Sequence, residues 1–393
     1  MVTRNKTTQI ATKTSPSEIV SQVQTHVWSV TLKALARRAA DVDIHGRWPE
    51  ENIRQLHAAG ALGWAIPRKF GGAPLSPAAL HRRYQQIASV CLATALILTQ
   101  RDAAIEFLTY VSGHRLGERL LSQLAANRTF ITIGLAQLTT SGQHDLPLVC
   151  ATRQPDGWLV SGIIPWATGA HHADWIVAGA RVGDGEQLLF LLLMRRKGVR
   201  VLPAARLSVL NATDTAAIEL KSVHISDNEV IAGPSNNVLT LRQRQKRFSL
   251  NTCILPLGVA GGALQMAREL AKPRSVTCRK AVAQLARRHR HLAAAVYAAG
   301  TGSRSAVVNS TGLAIESDSA TTSAGDKTML RATANILCSQ SVLAALELAK
   351  GRGLSCQHAA QRRARESQFF FVWSSSGSVI EKTLTLLAAP PVA

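Results

Sequence analysis

Arginine, lysine and histidine supply most of the groups in this sequence that could hold or move a charged ligand. Arg242, Arg244, Lys246 and Arg247 crowd one helix start. Arg287, Arg288, His289, Arg290 and His291 crowd a second helix, and Arg362, Arg363 and Arg365 a third. Cations at that density can grip a phosphate or diphosphate through charge-assisted hydrogen bonds. The plainer reading of each cluster is a solvated helix face. His144, His171 and His172 fall near the mouth of a β unit, where a neutral imidazole can take a proton. A lone histidine is more often structural. No metal site is expected. Cys91, Cys150, Cys253, Cys278, Cys338 and Cys356 form no CxxC pair and have no histidine at zinc spacing. They read as buried thiols of a reducing compartment, the cytoplasm. The glycines of residues 258–262 lack the strand that precedes a dinucleotide fingerprint and read as close helix packing.

Three blocks must position these groups. Residues 1–17 carry Arg4, Lys6 and Lys13, no acid and many Ser/Thr, and read as a disordered polar tail. Residues 18–130 read as helical. Ile19, Val23, Val27 and Val30 recur at helical spacing. A loop at 67–72 precedes helices predicted over 77–99, 105–110 and 113–124. Residues 131–236 form the β block. Short β-type runs start just before it, at 130–133, and continue at 158–160, 175–178, 188–193, 218–220 and 223–225. Turn signals such as Pro155-Asp156-Gly157 separate them, at intervals typical of a small barrel or sandwich. Residues 237–393 return to Ala/Leu-rich helix, with 301–327 predicted as a long loop.

Bulk composition narrows the class. The chain has 393 residues, enough for several packed units, and its 46% hydrophobic content can bury a large core. Lys+Arg total 45 against 24 Asp+Glu, a net charge of +21. That excess leaves open a polyanionic partner such as nucleic acid, but no nucleic-acid motif accompanies it, and a solvated basic surface is the plainer account. The longest apolar runs, 90–99 and 188–194, are too short to cross a bilayer, so no membrane span is expected.

Residues 43–50 (DIHGRWPE), 56–64 (LHAAGALGW) and 67–72 (PRKFGG), then 157–174 and the LGVA at 257–260, resemble in order the acyl-CoA dehydrogenase family. The similarity runs from about residue 35 to 385. It implies an α+β multidomain fold: an N-terminal helical domain, a middle β-barrel and a C-terminal four-helix bundle. It further implies FAD between barrel and bundle, a small-molecule substrate such as an acyl-CoA, and a homodimer or homotetramer.

The resemblance also assigns site residues. Trp166 and Thr168 stand where the family packs a ring on the isoalloxazine and places a hydroxyl near flavin N5. A flat indole suits a flat apolar ring. Gln137 falls in the segment that meets the flavin's pyrimidine side, Ser141 at the substrate entrance, and Arg274 and Gly351 at the FAD diphosphate. The family's catalytic glutamate has no counterpart: Ser374 occupies its usual position and Phe248 the alternative one. Serine is too weak a base to take an α-proton unaided. Glu366 reads as a helix-surface charge. Three functions follow: oxidation of an acyl thioester or related compound at a CH–CH bond, a flavin-dependent monooxygenase of the same fold, and a non-catalytic basic scaffold.

Overall fold

The computed structural model of the chain describes residues 16–111, 113–139, 148–183, 185–239, 250–301, 306–308, 314–316 and 324–389. Most of the expected N-terminal tail, Ser141 and His144, and the first basic cluster with Phe248 lie outside these described residues.

Five helices open the chain: α1 (Pro16–His45), α2 (Glu50–Ala58), α3 (Pro77–Val90), α4 (Leu92–Tyr110) and α5 (Arg115–Ala125). Helix α3 starts where Ser76 accepts from the Ala79 N–H, with Pro77 in the first turn. The break expected between 99 and 105 falls instead at Cys91, which is extended at φ −150°. Its buried sulfur accepts from the Thr94 hydroxyl and the Asn52 amide, a tertiary contact that periodicity cannot register. Helix α4 is buried around most of its circumference, as a helix at a domain centre must be.

Eight strands follow: β1 (Ile131–Gly134), β2 (Val149–Gln154), β3 (Gly157–Ala167), β4 (Trp175–Val182), β5 (Glu186–Leu193), β6 (Val199–Val201), β7 (Ala216–Ser226) and β8 (Val230–Ser235). They make one sheet in the order β6-β7-β3-β2-β4-β5-β8, with β1 pairing parallel to β4. The runs expected at 218–220 and 223–225 are one strand, carried past a register shift opposite β3. Strands β2, β6 and β8 were not legible, being short or rich in polar residues. Val160, Ile176, Phe190 and Val223, from four strands, share one apolar core.

The chain ends in α6 (Asn251–Ala271), α7 (Val276–Thr301), α8 (Ala324–Ala349), α9 (Ala359–Val372) and α10 (Gly377–Ala388). The loop expected at 301–327 contains a two-stranded hairpin, β9 (Ala306–Val308) with β10 (Ala314–Glu316). The N- and C-terminal helices bury a common core in which Leu35, Tyr84 and Leu92 meet Leu255, Val296 and Phe370. Phe107 and Leu120 pack beneath the sheet with Val177 and Leu189. The glycines of α6 do serve close packing. A Cβ on Gly258 would lie 2.5 Å from Ala88 Cβ, and one on Gly262 would lie 2.2 Å from the Ser89 carbonyl oxygen.

The expectation of six buried thiols is corrected here, and that of no membrane span meets one candidate helix that is mostly buried. The helix over Lys327–Leu354 is long and apolar enough to cross a membrane, although more than half of that stretch is buried inside the protein. Its Leu330, Ala334 and Leu337 belong to the common helical core. Of the six cysteines only Cys91, Cys253 and Cys338 are buried; Cys150 and Cys356 are exposed, and Cys278 lies between.

Candidate functional site

Trp166 is the penultimate residue of β3 and is 49% exposed, unusual for so large an apolar side chain. Thr168 follows in a tight turn. Its hydroxyl lies 3.4 Å from that of Thr215, which is 2.8 Å from that of Thr213, and Thr213 donates to the Leu210 carbonyl. The turn is pinned by Gly169 N–H to Thr213 O and Ala170 N–H to Asp214 O. Gly169 itself is obligatory on two counts. Its φ is +69°, and a Cβ would sit 3.0 Å from the Trp48 ring.

Asp214 ties this rim to the N-terminal helices. Its carboxylate accepts the His171 N–H at 3.0 Å, lies 3.0 Å from His171 Nδ1 and 3.8 Å from His172 Nε2. His172 stacks on Trp48 at 4.1 Å, and Trp48 meets Phe130 edge-on. Burial pushes the His172 imidazole down, against the pull of Asp214 and Glu50. His172 therefore holds the α1–α2 connection against the rim through Trp48, while His171 is tied to Asp214 within the rim. Asp214 and Trp48 had not been singled out for this rim; a Thr-Asp-Thr run at 213–215 was the available signal.

The other expected site residues lie apart. Gln137 is buried and donates both amide hydrogens, to Gly134 O and Gly179 O, each at 2.8 Å. Its amide nitrogen is thus committed to the β-sheet backbone rather than free to meet a cofactor. Arg274 is half-buried in the α6–α7 connection, with its backbone N–H on Ala271 O. Gly351 is exposed in a turn of 3₁₀ helix after α8, with nothing within 4 Å of where a Cβ would stand. Among the described residues no hydrogen bond or ring contact joins Trp166 or Thr168 to these residues or to Ser374.

Ser374 is exposed just after α9, at φ +51°. The turn before it is gripped from α8. Arg331 Nη2 donates to Phe370 O at 2.9 Å and Trp373 O at 2.8 Å, and Asn335 Nδ2 donates to Phe370 O at 3.0 Å. Arg331 is buried, and burial brings its guanidinium down to about 10. Sequence reasoning missed this clamp, although an Arg and an Asn four apart in an apolar helix were a readable sign.

Glu366 is buried, not on the helix surface. Burial pushes its carboxyl up, opposed by Arg362 and Arg363. Arg363 donates to Ser89 O at 2.8 Å, and Arg365 to Asp43 and to Ser208 O. The third basic cluster is therefore a set of internal clamps. In the second, His289 is spent on the Leu257 carbonyl at 2.8 Å, while Arg287, Arg290 and His291 face solvent.

A small cleft of about 80 Å³, partly open to solvent, lies between α3, α4 and the first turn of α6. It is lined by Trp64, His81, Tyr84, Asp102 and Tyr110 among others, and by none of the expected site residues.

Residues 17–128 match the family described as acyl-CoA dehydrogenase, N-terminal domain. The chain superposes on a glutaryl-coenzyme A dehydrogenase in complex with glutaryl-CoA, with a TM-score of 0.77 over 95% of each chain at 17% identity. The chain has the acyl-CoA dehydrogenase fold. In sequence it is 21% identical to a probable acyl-CoA dehydrogenase, FadE25, of Mycobacterium leprae, over 65% of this chain and 66% of that protein. The same fold is shared by a dibenzothiophene monooxygenase from Paenibacillus, at a TM-score of 0.72 and 15% identity over 93% of this chain and 97% of that one. The fold is thus shared by a dehydrogenase and by a monooxygenase.

Proposed function

We propose that the chain is an FAD-dependent oxidoreductase acting on a small organic substrate, with the barrel rim at Trp166 and Thr168 as its flavin face. The observation that carries the reading is an indole left half in solvent beside a hydroxyl held by a threonine chain. These residues fit the ring end of the cofactor. When bound, FAD would supply two-electron redox chemistry. Trp166 would pack on the ring and Thr168 would offer it a hydroxyl. Arg274 would reach toward the diphosphate, where the open backbone at Gly351 leaves room. Ser374 would touch substrate, its protonated hydroxyl being too weak a base to take an α-proton.

The substrate class we infer is an acyl thioester or a related compound oxidised at a CH–CH bond. A monooxygenase is the second reading, supported by the serine at 374, which the family resemblance sets where a dehydrogenase needs a carboxylate. Titration of the purified protein with FAD, read by visible absorption and retention through gel filtration, tests the flavin. Failure to take it up overturns the reading. Bleaching by an acyl-CoA without oxygen supports dehydrogenation. Bleaching only by an external reductant, followed by substrate-dependent oxygen uptake, supports the monooxygenase.

We also infer a homo-oligomer built through the C-terminal helices. Ile380, Leu384 and Leu387 of α10 and Leu343 of α8 are large apolar side chains between 46% and 61% exposed. A strictly monomeric species in light scattering at micromolar concentration argues against it.

A further inference from the structure

The basic clusters meet different fates once the chain is folded. The third is internal, its arginines spent on backbone carbonyls and on Asp43. The second lies on α7, a 26-residue helix with five Arg or Lys, two His and no Asp or Glu. Its Lys280, Gln284, Arg287, Arg290 and His291 are exposed. At 3.6 residues per turn, Lys280, Gln284, Arg287 and His291 fall within about 60° of one another, with Arg290 on their flank. The row from Lys280 to His291 is about 16 Å long at 1.5 Å per residue.

An ordinary solvated helix face carries both signs of charge, so that neighbouring turns relieve one another. This face carries one. Among the described residues no acid is paired with Lys280, Arg287 or Arg290, and the one acid of α6, Glu269, is held by Lys272. Exposed Arg268 of α6 adds a further cation. Burial brings the His289 ring down, and the charges of Arg268 and Arg290 push it the same way. Cations from two helices thus crowd one surface, and a polyanion laid across it removes their repulsion.

The rest of the face selects the polyanion. From Arg279 to Ala294 its exposed residues are Arg, Lys, Ala, Gln and His alone. They include no large apolar side chain to enter a bilayer or to fill a protein partner's pocket. They include no aromatic ring on which the bases of a single strand could stack. A duplex needs none of these. It presents a stiff row of phosphates, about one charge per 1.7 Å of its axis, to Arg, Lys and Gln donors. A second copy of this chain, offering the same face, would bring the same cations and be repelled.

We propose that the exposed face of α7, with Arg268 of α6, binds the phosphate backbone of a nucleic-acid duplex without reading its sequence. The proposal goes beyond the flavin reading and uses none of its residues, so it stands or falls whether or not FAD binds.

The test is fluorescence anisotropy of two labelled 20-base-pair DNA duplexes of unrelated sequence, titrated with the purified full chain between 50 and 200 mM NaCl. Both should bind alike, with a Kd of about 1–10 μM at the lowest salt. Four cations on phosphates give a slope of log K against log salt of about −3 to −4, or about a 100-fold loss across that range. Arg287→Gln with Arg290→Gln should weaken binding at least tenfold and flatten the slope by about 2. Arg195→Gln with Lys197→Gln removes the same charge from exposed positions on the barrel and should change neither. No duplex binding, a slope near zero, undiminished binding by the α7 variant, or an equal loss in the barrel variant would each overturn the proposal. So would tighter binding of the single strand, or retention on phosphatidylglycerol vesicles without retention of duplex.

Discussion

The barrel rim and the helical cleft satisfy their polar groups in opposite ways. At the rim, Thr168, Thr213 and Thr215 pass hydrogen bonds to one another, Asp214 holds His171, and the indole of Trp166 is left toward solvent. Its polar groups are complete and its apolar group is exposed. In the cleft the tyrosines are spent on carboxylates, and the imidazole of His81 is desolvated. The difference is one of water: the rim leaves an apolar ring in solvent, and the cleft draws polar groups out of it.

The largest expected effect asks whether the rim lacks only a base. Ser374→Glu should raise the anaerobic rate of flavin reduction by a saturated acyl-CoA about 10²–10⁴-fold, the usual worth of a positioned general base. Stopped-flow on both proteins measures it. Rapid reduction of the unaltered protein, with the Glu variant no faster, would place the base elsewhere.

The second effect belongs to the cleft and follows from linkage. The folded-state value of His81 is about 4 against an ordinary 6.5, so the unfolded chain binds the extra proton between those values. The contribution is whole above pH 6.5 and is lost as the pH falls toward 4. Urea unfolding at pH 7 and pH 4.5 should show the native protein losing about 2–3 kcal/mol more than His81→Phe. Parallel losses in the two proteins would mean that His81 is solvated.

Two smaller effects probe the rim. Gly169→Ala forces a Cβ into a left-handed position against Trp48 and should cost about 1–2 kcal/mol by urea midpoint. An unchanged midpoint would show that the α1–α2 connection yields easily. Asp214→Asn removes the charge that faces His171 and His172 across a partly solvated contact. It should cost about 1 kcal/mol in thermal unfolding. A much larger loss would mean that the rim is as tightly built as the cleft.

The α–β–α order was legible because helical and two-residue periodicities leave different marks on a sequence. So were the long strands and the glycine contacts of α6. The break at Cys91 was not, since it depends on Asn52 and Thr94 reaching a sulfur from other turns. The hairpin at 306–316 was hidden by a Ser/Thr/Gly-rich composition that usually marks a loop. Trp166 and Thr168 could be named from the sequence; Thr215, which meets Thr168, and Asp214 and Trp48, which hold His171 and His172, could not, because they arrive from the approach to β7 and from the α1–α2 connection.

The sequence by itself determined which residue types occupy which positions: the indole near the end of β3 and the threonine after it, the serine at 374, and the basic excess. Local spacing is enough for that. Only the tertiary structure decided the state of those groups. Glu366 and Arg363 read as surface charges along a helix and are buried, because α9 packs against α8 and α6 while Arg363 reaches the end of α3. Gln137 reads as a donor for a ligand and is spent on two strand carbonyls. His81 carries no motif, and its lowered titration comes from burial. Burial and hydrogen-bond partnership depend on segments far apart in the chain, and no short window of sequence contains them.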